Sequence, residues 1–198
     1  MATFHVEATA LVAPSAEIGA GAKIWHHAQV REEVVLGENV IVGKGAYIGP
    51  KVHVGKNSKI QNSALVYEPA SIGEGVFVGP GVILTNDRYP RAVNPDLTQK
   101  SAADWEPVGV QIETGASIGA GSVIVAPVRI GAWAMVAAGS VVVKDVPPHA
   151  LVVGNPAKQI GWISKRGARL IEETRNSFLC PVSKVRYTLE NSLLSEVK

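Results

Sequence analysis

An aliphatic residue recurs at every sixth position over most of this chain. The repeat begins at Val6, continues without a miss to Leu84, stops, and then resumes at Ile112 and ends at Val142, which gives twenty positions. Ile, Leu and Val make up about a quarter of the residues, so this regularity is not chance. Nine of the twenty residues are followed directly by Gly, and a small residue commonly stands four positions after each. We call these twenty positions the ladder.

The ladder predicts a stack of short parallel strands. A period of six is too short for a helical or leucine-rich repeat, and it fits one short strand per hexapeptide, with coils about 4.8 Å apart. Aromatic residues are few, whereas Gly, Val, Ile and Ala are many, which also favours β structure. Residues 85–111 interrupt a regular scaffold, so they are the first place to expect chemistry.

The hexapeptide pattern [IV]-G-x-x-[AV]-x resembles that of acyltransferases that fold as a left-handed parallel β-helix. The resemblance implies an all-β protein with three hexapeptides in each triangular coil, hence about 6–7 coils, and it alone implies the left-handed winding. We therefore predict a β-helix domain over residues 1–161, with a loop insertion at 85–111, and a C-terminal extension over 162–198. In the extension, residues 162–174 are predicted as a short helix and the remainder as two strands with a turn near Asn191.

Composition narrows the function classes. The net charge is +2 without a basic run, so no nucleic-acid partner is expected. The single cysteine, Cys180, provides neither a disulfide framework nor a CxxC metal site, and we predict no metal. The N-terminus lacks a signal-peptide pattern, and no run approaches the roughly 18 apolar residues of a membrane span. These features predict a cytoplasmic protein without a membrane partner.

Three hexapeptides per coil sort the corners of the coils into three columns. One column carries Tyr67 and Glu68 and, one coil later, Asn86, so the side chains of Glu68 and Asn86 are expected about one strand spacing apart. A second column carries His26 and, two coils later, Gln61 with Asn62. The third column keeps Gly at its corners and is interpreted as structural.

Three further segments make the resemblance more specific. KIQNSALVYEPA (59–70), LTNDRYPRA (84–92) and GNPAKQIGW (154–162) resemble N-acetyltransferases that act on nucleotide-linked 3-amino sugars. The resemblance implies acetyl-CoA as co-substrate and a homotrimer with sites at the subunit interfaces. The order TNDRYPR favours a dTDP-3-amino-3,6-dideoxyhexose over a UDP-linked 3-amino-glucuronic acid, for cell-surface or secondary-metabolite glycan synthesis.

The resemblance and the columns together nominate site residues. Asn86 would orient the amine or the developing oxyanion, Glu68 and Asp87 are candidate proton acceptors, and His26 is a candidate base. Six polar residues are expected to bind the nucleotide sugar: Gln61, Asn62, Tyr67, Arg88, Tyr89 and Arg91. Seven residues are expected to bind CoA: Gly119, Ala120, Ala137, Ala138, Lys144, Pro156 and Lys158. Trp105 is expected to dock the returning arm of the loop on the scaffold.

Three alternatives share the fold. An O-acetyltransferase of a sugar or of serine would use a histidine base, for which His26 is the candidate. A γ-class carbonic anhydrase would need three zinc-binding histidines, and no pair of histidines here has the spacing of that class. A non-catalytic hexapeptide protein is disfavoured by GNPAK and by the polar interruption.

Overall fold

The chain folds as a parallel β-helix followed by a small antiparallel sheet. The computed structural model describes residues 3–197. The prediction of one short strand per hexapeptide is confirmed by twenty strands: β1 (His5–Val6), β2 (Leu11–Val12), β3 (Glu17–Ile18), β4 (Lys23–Ile24), β5 (Gln29–Val30), β6 (Val35–Leu36), β7 (Ile41–Val42), β8 (Tyr47–Ile48), β9 (His53–Val54), β10 (Lys59–Ile60), β11 (Leu65–Val66), β12 (Ser71–Ile72), β13 (Phe77–Val78), β14 (Ile83–Leu84), β15 (Val110–Ile112), β16 (Ser117–Ile118), β17 (Val123–Ile124), β18 (Val128–Ile130), β19 (Met135–Val136) and β20 (Val141–Val142).

The strands form three faces of a prism. Face A contains β1, β4, β7, β10, β13, β16 and β19, face B contains β2, β5, β8, β11, β14, β17 and β20, and face C contains β3, β6, β9, β12, β15 and β18. Strand partners below the interruption differ by 18 residues, as in the pair of Ile24 with Val42, so each coil holds three hexapeptides. This register confirms the three columns and agrees with a left-handed β-helix. We name the corners the A/B, B/C and C/A edges, after the faces that they join in chain order.

Each hexapeptide buries two small or aliphatic side chains. The second residue of each strand points inward, and ladder residues such as Ile24, Ile60 and Ile118 are fully buried. A small residue just before the next strand fills the space beside them, because the corner leaves no room for a long side chain. Where that residue is serine, its hydroxyl is satisfied, since Ser58 Oγ donates to the Gly73 carbonyl at 2.8 Å.

The chain closes with antiparallel structure. β21 (Ala150–Gly154) adds an eighth parallel strand to face A and turns back into β22 (Ala157–Trp162). A four-stranded antiparallel sheet follows, formed by β23 (Ile171–Thr174), β24 (Ser177–Leu179), β25 (Arg186–Glu190) and β26 (Leu193–Glu196). The predicted turn near Asn191 is confirmed, because Asn191 and Ser192 both have positive φ, as a tight hairpin requires.

The predicted helix over residues 162–174 is wrong. Gly167 adopts φ +74°, which reverses the chain, and Ile163 pairs with Arg169 across the turn. Trp162 and Leu170 therefore face each other across a hairpin and do not form one stripe of a helix. Within residues 3–197 the single helix is the short 3₁₀ turn η1 (Ala102–Asp104) of the loop, and no helix there is long and apolar enough to cross a bilayer.

A second apolar cluster joins the terminal sheet to the β-helix. It contains Leu170, Phe178, Cys180, Tyr187 and Leu194, and Trp162 packs against both this cluster and the main core. His149 lies beside it with 6% of its surface exposed, and its Nδ1 is 2.9 Å from the Ile163 carbonyl. The terminal sheet is thus held by apolar packing and by one buried imidazole.

This imidazole predicts a pH dependence of stability. Burial lowers the pKa of His149 below its ordinary value, although the bond to Ile163 opposes the shift. The unfolded chain then takes up a proton at higher pH than the folded one, so the contribution of His149 is present above about pH 6.5 and is lost as the pH falls below it. Urea unfolding between about pH 7.5 and 5.5 should show this loss, and His149→Asn should flatten the profile. An equal slope in the variant would contradict the assignment.

Candidate active site

The interruption leaves the scaffold at the B/C edge. β14 ends at Leu84, and β15 begins at Val110, so the loop occupies residues 85–109, close to the predicted 85–111. Val66 pairs with Leu84, which places Glu68 and Asn86 at equivalent corner positions one rung apart, as the columns predict. The side-chain amide of Asn86 has no hydrogen-bond partner among residues 3–197, so it is not used there to cap a turn.

Both ends of the loop are fixed to the scaffold. The Thr85 hydroxyl accepts a hydrogen bond from the Ala126 N–H at 3.0 Å, and the Asn86 carbonyl accepts one from the Val108 N–H at 3.2 Å. Val108 also packs against the main core, whereas Trp105, expected to dock the loop, is absent from the residues that pack there. Trp105 lines the space inside the loop, so the aliphatic side chain next to the last rung does the docking.

That space is a polar cavity of about 250 Å³ between the outgoing and returning arms. Asp87 shapes the outgoing arm by accepting from the Tyr89 N–H at 2.8 Å, and the Arg88 guanidinium lies 5.5 Å from the centre of the exposed Tyr89 ring. Arg91 donates to the Pro90 carbonyl. The lining consists of Asp87, Arg88, Tyr89, Lys100, Asp104, Trp105, Glu106 and Val108.

The returning arm has its own polar framework. Asp96 accepts from the Thr98 N–H and hydroxyl, and Asp104 accepts from the Ser101 N–H and hydroxyl in a capping box. Hydrogen bonds from the Ser101 backbone and then its hydroxyl lower the pKa of Asp104, and those from Thr98 lower the pKa of Asp96. These bonds give the loop a defined shape and make it a wall beside the B/C edge.

A polar and aromatic cluster lies below Asn86 on the same edge. The Tyr47 and Tyr67 rings are 5.3 Å apart, and Arg31 Nη1 donates to the Tyr47 hydroxyl at 3.4 Å. Burial, and then the negative charge of Glu68, raise the pKa of Tyr47. The sequence interpretation missed Arg31 and Tyr47. Arg31 occupies the corner position where Gly49 stands one coil later, and this departure was the available signal.

His26 lies on another edge and has its own partners. Its Nδ1 is 3.0 Å from the Thr9 hydroxyl, and its Nε2 is 3.4 Å from a Glu7 carboxylate oxygen. His26 follows β4 on the A/B edge, while Asn86 follows β14 on the B/C edge. One chain does not bring His26 and Asn86 together.

Gln61 and Asn62 also lie on the A/B edge. The Asn62 side-chain oxygen accepts from the Lys44 N–H at 2.9 Å, so it holds the corner one coil below. Gln61 is half-buried beside it. The Asn62 amide nitrogen and the Gln61 side chain are what these residues offer to a ligand.

The upper A/B edge presents backbone donors. Gly119 and Ala120 follow β16, and Ala137 and Ala138 follow β19, at equivalent corners one rung apart. The N–H groups of Ala120 and Ala138 have no hydrogen-bond partner within residues 3–197, because every strand bond of these coils uses other amides.

The remaining predicted CoA residues divide between two edges. Pro156 lies in the turn between β21 and β22, above the same A/B edge, and exposed Lys158 begins the return strand. Lys144 follows β20 and therefore lies on the B/C edge, away from the two alanines. In the described part of the chain, no group of three His, Cys, Asp or Glu side chains is arranged to hold a metal ion.

Fold and edges together define a hexapeptide-repeat β-helix with a loop-walled polar edge. Two family models match: "Bacterial transferase hexapeptide (six repeats)" over residues 15–50, 33–68 and 51–86, and "Hexapeptide repeat of succinyl-transferase" over 109–144. Together the matches cover more than half of the chain. The protein belongs to the hexapeptide-repeat acyltransferase family.

Individual relatives include different acetyltransferases. A dTDP-3-amino-3,6-dideoxy-alpha-D-galactopyranose 3-N-acetyltransferase of Aneurinibacillus thermoaerophilus is 43% identical over 86 residues, covering 43% of this chain and 44% of the relative. Serine acetyltransferase 4 of Arabidopsis thaliana is 42% identical over 97 residues, covering 48% of this chain and 26% of the relative. The matches thus span less than half the length of these curated relatives.

Solved structures agree on the fold. A hexapeptide-repeat acetyltransferase of Vibrio cholerae, solved with acetyl coenzyme A, is 27% identical with a TM-score of 0.53, over 67% of this chain and 72% of that one. A point mutant of perosamine N-acetyltransferase from Caulobacter crescentus, solved with CoA and GDP-perosamine, is 22% identical with a TM-score of 0.51, over 79% of this chain and 55% of that one. The latter likeness supports the fold alone.

Proposed function

We propose that this protein transfers an acetyl group from acetyl-CoA to the 3-amino group of a nucleotide-linked amino sugar. The observation that carries the proposal is the B/C edge, where Asn86, with a free side-chain amide, stands one rung above Glu68 at the mouth of a polar loop. The relative that acetylates a dTDP-linked 3-amino sugar supports the class of substrate. A dTDP-3-amino-3,6-dideoxyhexose is favoured over a UDP-3-amino-glucuronate because of the segment 85–91, TNDRYPR.

The reaction asks for positioning more than for a strong base. The amine attacks the thioester carbonyl, the carbon–sulfur bond breaks, and a thiolate leaves while the new amide loses a proton. Holding the two reactants in contact supplies much of the rate. The Asn86 N–H₂ is placed to donate to the developing oxyanion, and Asp87 and Glu68 are the carboxylates near it. Tyr67, Arg88, Tyr89 and Arg91 would bind sugar hydroxyls and the diphosphate.

Acetyl-CoA would lie along the A/B edge. The free N–H groups of Ala120 and Ala138 can donate to the pantetheine carbonyls, and the small side chains allow the arm close to the backbone. Pro156 and Lys158 are above this edge, where the lysine can meet a phosphate. Lys144 is assigned to a phosphate only if a second subunit supplies it across an interface.

A homotrimer would join these two edges. The outward residues of face B are Leu11, Gln29, Tyr47, Leu65, Ile83, Val123 and Val141, six of which are apolar or aromatic, whereas face C presents Glu17, Val35, His53, Ser71, Gln111 and Arg129. A continuous apolar face flanked by both edges fits burial against another copy. Subunits packed in this way would set the A/B edge of one against the B/C edge of the next, and would include Gln61, Asn62 and His26 in the cleft. Sedimentation of an active monomer would exclude this assembly.

The test of the proposed function is thiol release from acetyl-CoA with a panel of dTDP- and UDP-linked 3-amino sugars. At least one amine should give turnover, and dTDP-linked ones should be preferred. The proposal fails if every amine is inert while calorimetry still detects acetyl-CoA binding.

O-acetylation is the second candidate, supported by the 42% identical serine acetyltransferase. An alcohol needs a base, and His26 with Glu7 behind it is the available one. Serine and 3-hydroxy sugars belong in the same panel. His26→Ala abolishing turnover of an alcohol substrate would support this interpretation.

One substitution isolates the CoA contact. Ala120→Pro removes a single N–H, and Pro148 already occupies the equivalent corner position above Gly131, as Ala120 does above Gly79. We expect the KM for acetyl-CoA to rise about 3- to 10-fold, the worth of one hydrogen bond, with little change in the melting temperature. Ala120→Ser, which keeps the N–H, is the control. An unchanged KM in the proline variant would place CoA elsewhere.

A further inference from the structure

Glu68 carries the one buried side-chain oxygen within residues 3–197 that has no hydrogen-bond partner. Buried polar atoms are normally paired, because burying an unpaired carboxylate oxygen is strongly unfavourable. This oxygen, Oε2, belongs to a residue at the B/C edge, one rung below Asn86. Its position at the candidate site makes the missing partner a question about ligand recognition.

The sequence creates a specific place for this carboxylate. Gly49 stands at the corner one coil below, and a Cβ added there would collide with Glu68 Oε2. Gly49 does not have a positive φ, so the space beside it, and not its backbone freedom, is what the carboxylate uses. The half-buried Tyr47 and Tyr67 rings stand beside the site and reduce its contact with water.

The nearest cationic side chain of this cluster is engaged elsewhere. Arg31 donates to Glu32 at 2.9 Å and to the Tyr47 hydroxyl at 3.4 Å. The charge of Glu68 is nevertheless felt by Tyr47, whose pKa it helps to raise. The carboxylate is thus close to the cluster, while its buried oxygen is left for a donor from outside the described chain.

We propose that Glu68 determines the preference of this site for an amine, its Oε2 accepting a hydrogen bond from an N–H of the acceptor's amino group. The inference rests on the proposed function. An ammonium matches the charge of the carboxylate, and the neutral amine still has an N–H for Glu68 while its lone pair is directed at the thioester. An alcohol has a single O–H, and a carboxylate is too weak a base to remove that proton.

The test compares Glu68→Gln with Glu74→Gln. Glu74 occupies the equivalent corner position in the next hexapeptide, but its side chain is 56% exposed and lies 3.5 Å from Lys56. The probes are dTDP-3-amino-3,6-dideoxygalactose and, as a competitive inhibitor, its 3-hydroxy counterpart dTDP-6-deoxygalactose. Glu68→Gln should lower kcat/KM for the amine by about 10- to 100-fold, the range for a hydrogen bond to a charged group, and should leave the inhibition constant of the alcohol unchanged. Glu74→Gln should alter neither.

A stability measurement separates recognition from structure. If the carboxylate waits for a substrate, removing its charge should leave the melting temperature equal or raise it by about 2–4 °C. A lower melting temperature, or an altered oligomeric state in light scattering, would mean that the partner is structural or belongs to another copy, and would overturn the proposal. Unchanged kcat/KM in Glu68→Gln would also overturn it while leaving the proposed function intact. An unmodified protein that acetylates no amine would end the proposed function first.

Discussion

Replacing Asn86 by alanine is expected to lower kcat by about 100- to 1,000-fold, the usual effect of removing one oxyanion donor. The side-chain amide has no partner among residues 3–197, while the Asn86 carbonyl holds the loop through Val108. The substitution therefore removes the chemistry and keeps the backbone bond. Steady-state thiol release with a dTDP-3-amino sugar measures the effect, and the KM for acetyl-CoA should change little.

Two variants control this experiment. Asn86→Asp keeps the shape but replaces donors by acceptors, and should be as impaired as alanine. Asn94→Ala removes an amide from the same loop that only bonds to Thr98 within it, and should retain activity. A normal kcat with a reduced melting temperature in Asn86→Ala would show that Asn86 serves the turn and not the reaction.

Gly55→Ala is expected to destabilise the β-helix by about 3 kcal/mol. A Cβ at Gly55 would lie 2.6 Å from both the Glu74 nitrogen and the Gly73 carbonyl carbon, which are backbone atoms of the next coil. Backbone cannot turn aside as a side chain can, so the two coils must separate at the C/A edge. Urea unfolding followed by circular dichroism gives the change in free energy.

Gly75→Asn is the matched control at the same edge. Gly75 has φ +64° and nothing within 4 Å of an added Cβ, and Asn39 and Asn57 occupy the equivalent corner with φ near +60°. The free energy of unfolding should therefore stay within about 0.5 kcal/mol. Equal losses in both variants would show that these glycines serve the corner conformation alone.

The β-helix was predictable because one buried position per hexapeptide fixes both strand and register. Leu84 and Ile124, on either side of the interruption, pair as neighbours, as the columns require. The C-terminal extension was not predictable in the same way. Trp162 and Leu170 are buried by distant partners such as Tyr187, and local spacing holds no record of those contacts.

The site was predictable only as far as corners repeat. The column arithmetic placed Glu68 beneath Asn86, but it followed backbone positions and not the reach of long side chains. Tyr47 and Arg31 meet because their side chains extend from neighbouring coils. Lys144 was grouped with Ala138, although the chain crosses face B between them.

The interruption also separates inheritance of fold from inheritance of specificity. Ile72 pairs with Ile112, 40 residues away, where other partners are 18 apart, so 22 residues enter and leave the scaffold between adjacent rungs. The stack closes beneath the loop as if those residues were absent. Such a segment can lengthen, shorten or be exchanged while the coils on both sides keep their contacts. Evolution can therefore change what the wall recognises without altering the fold that carries it.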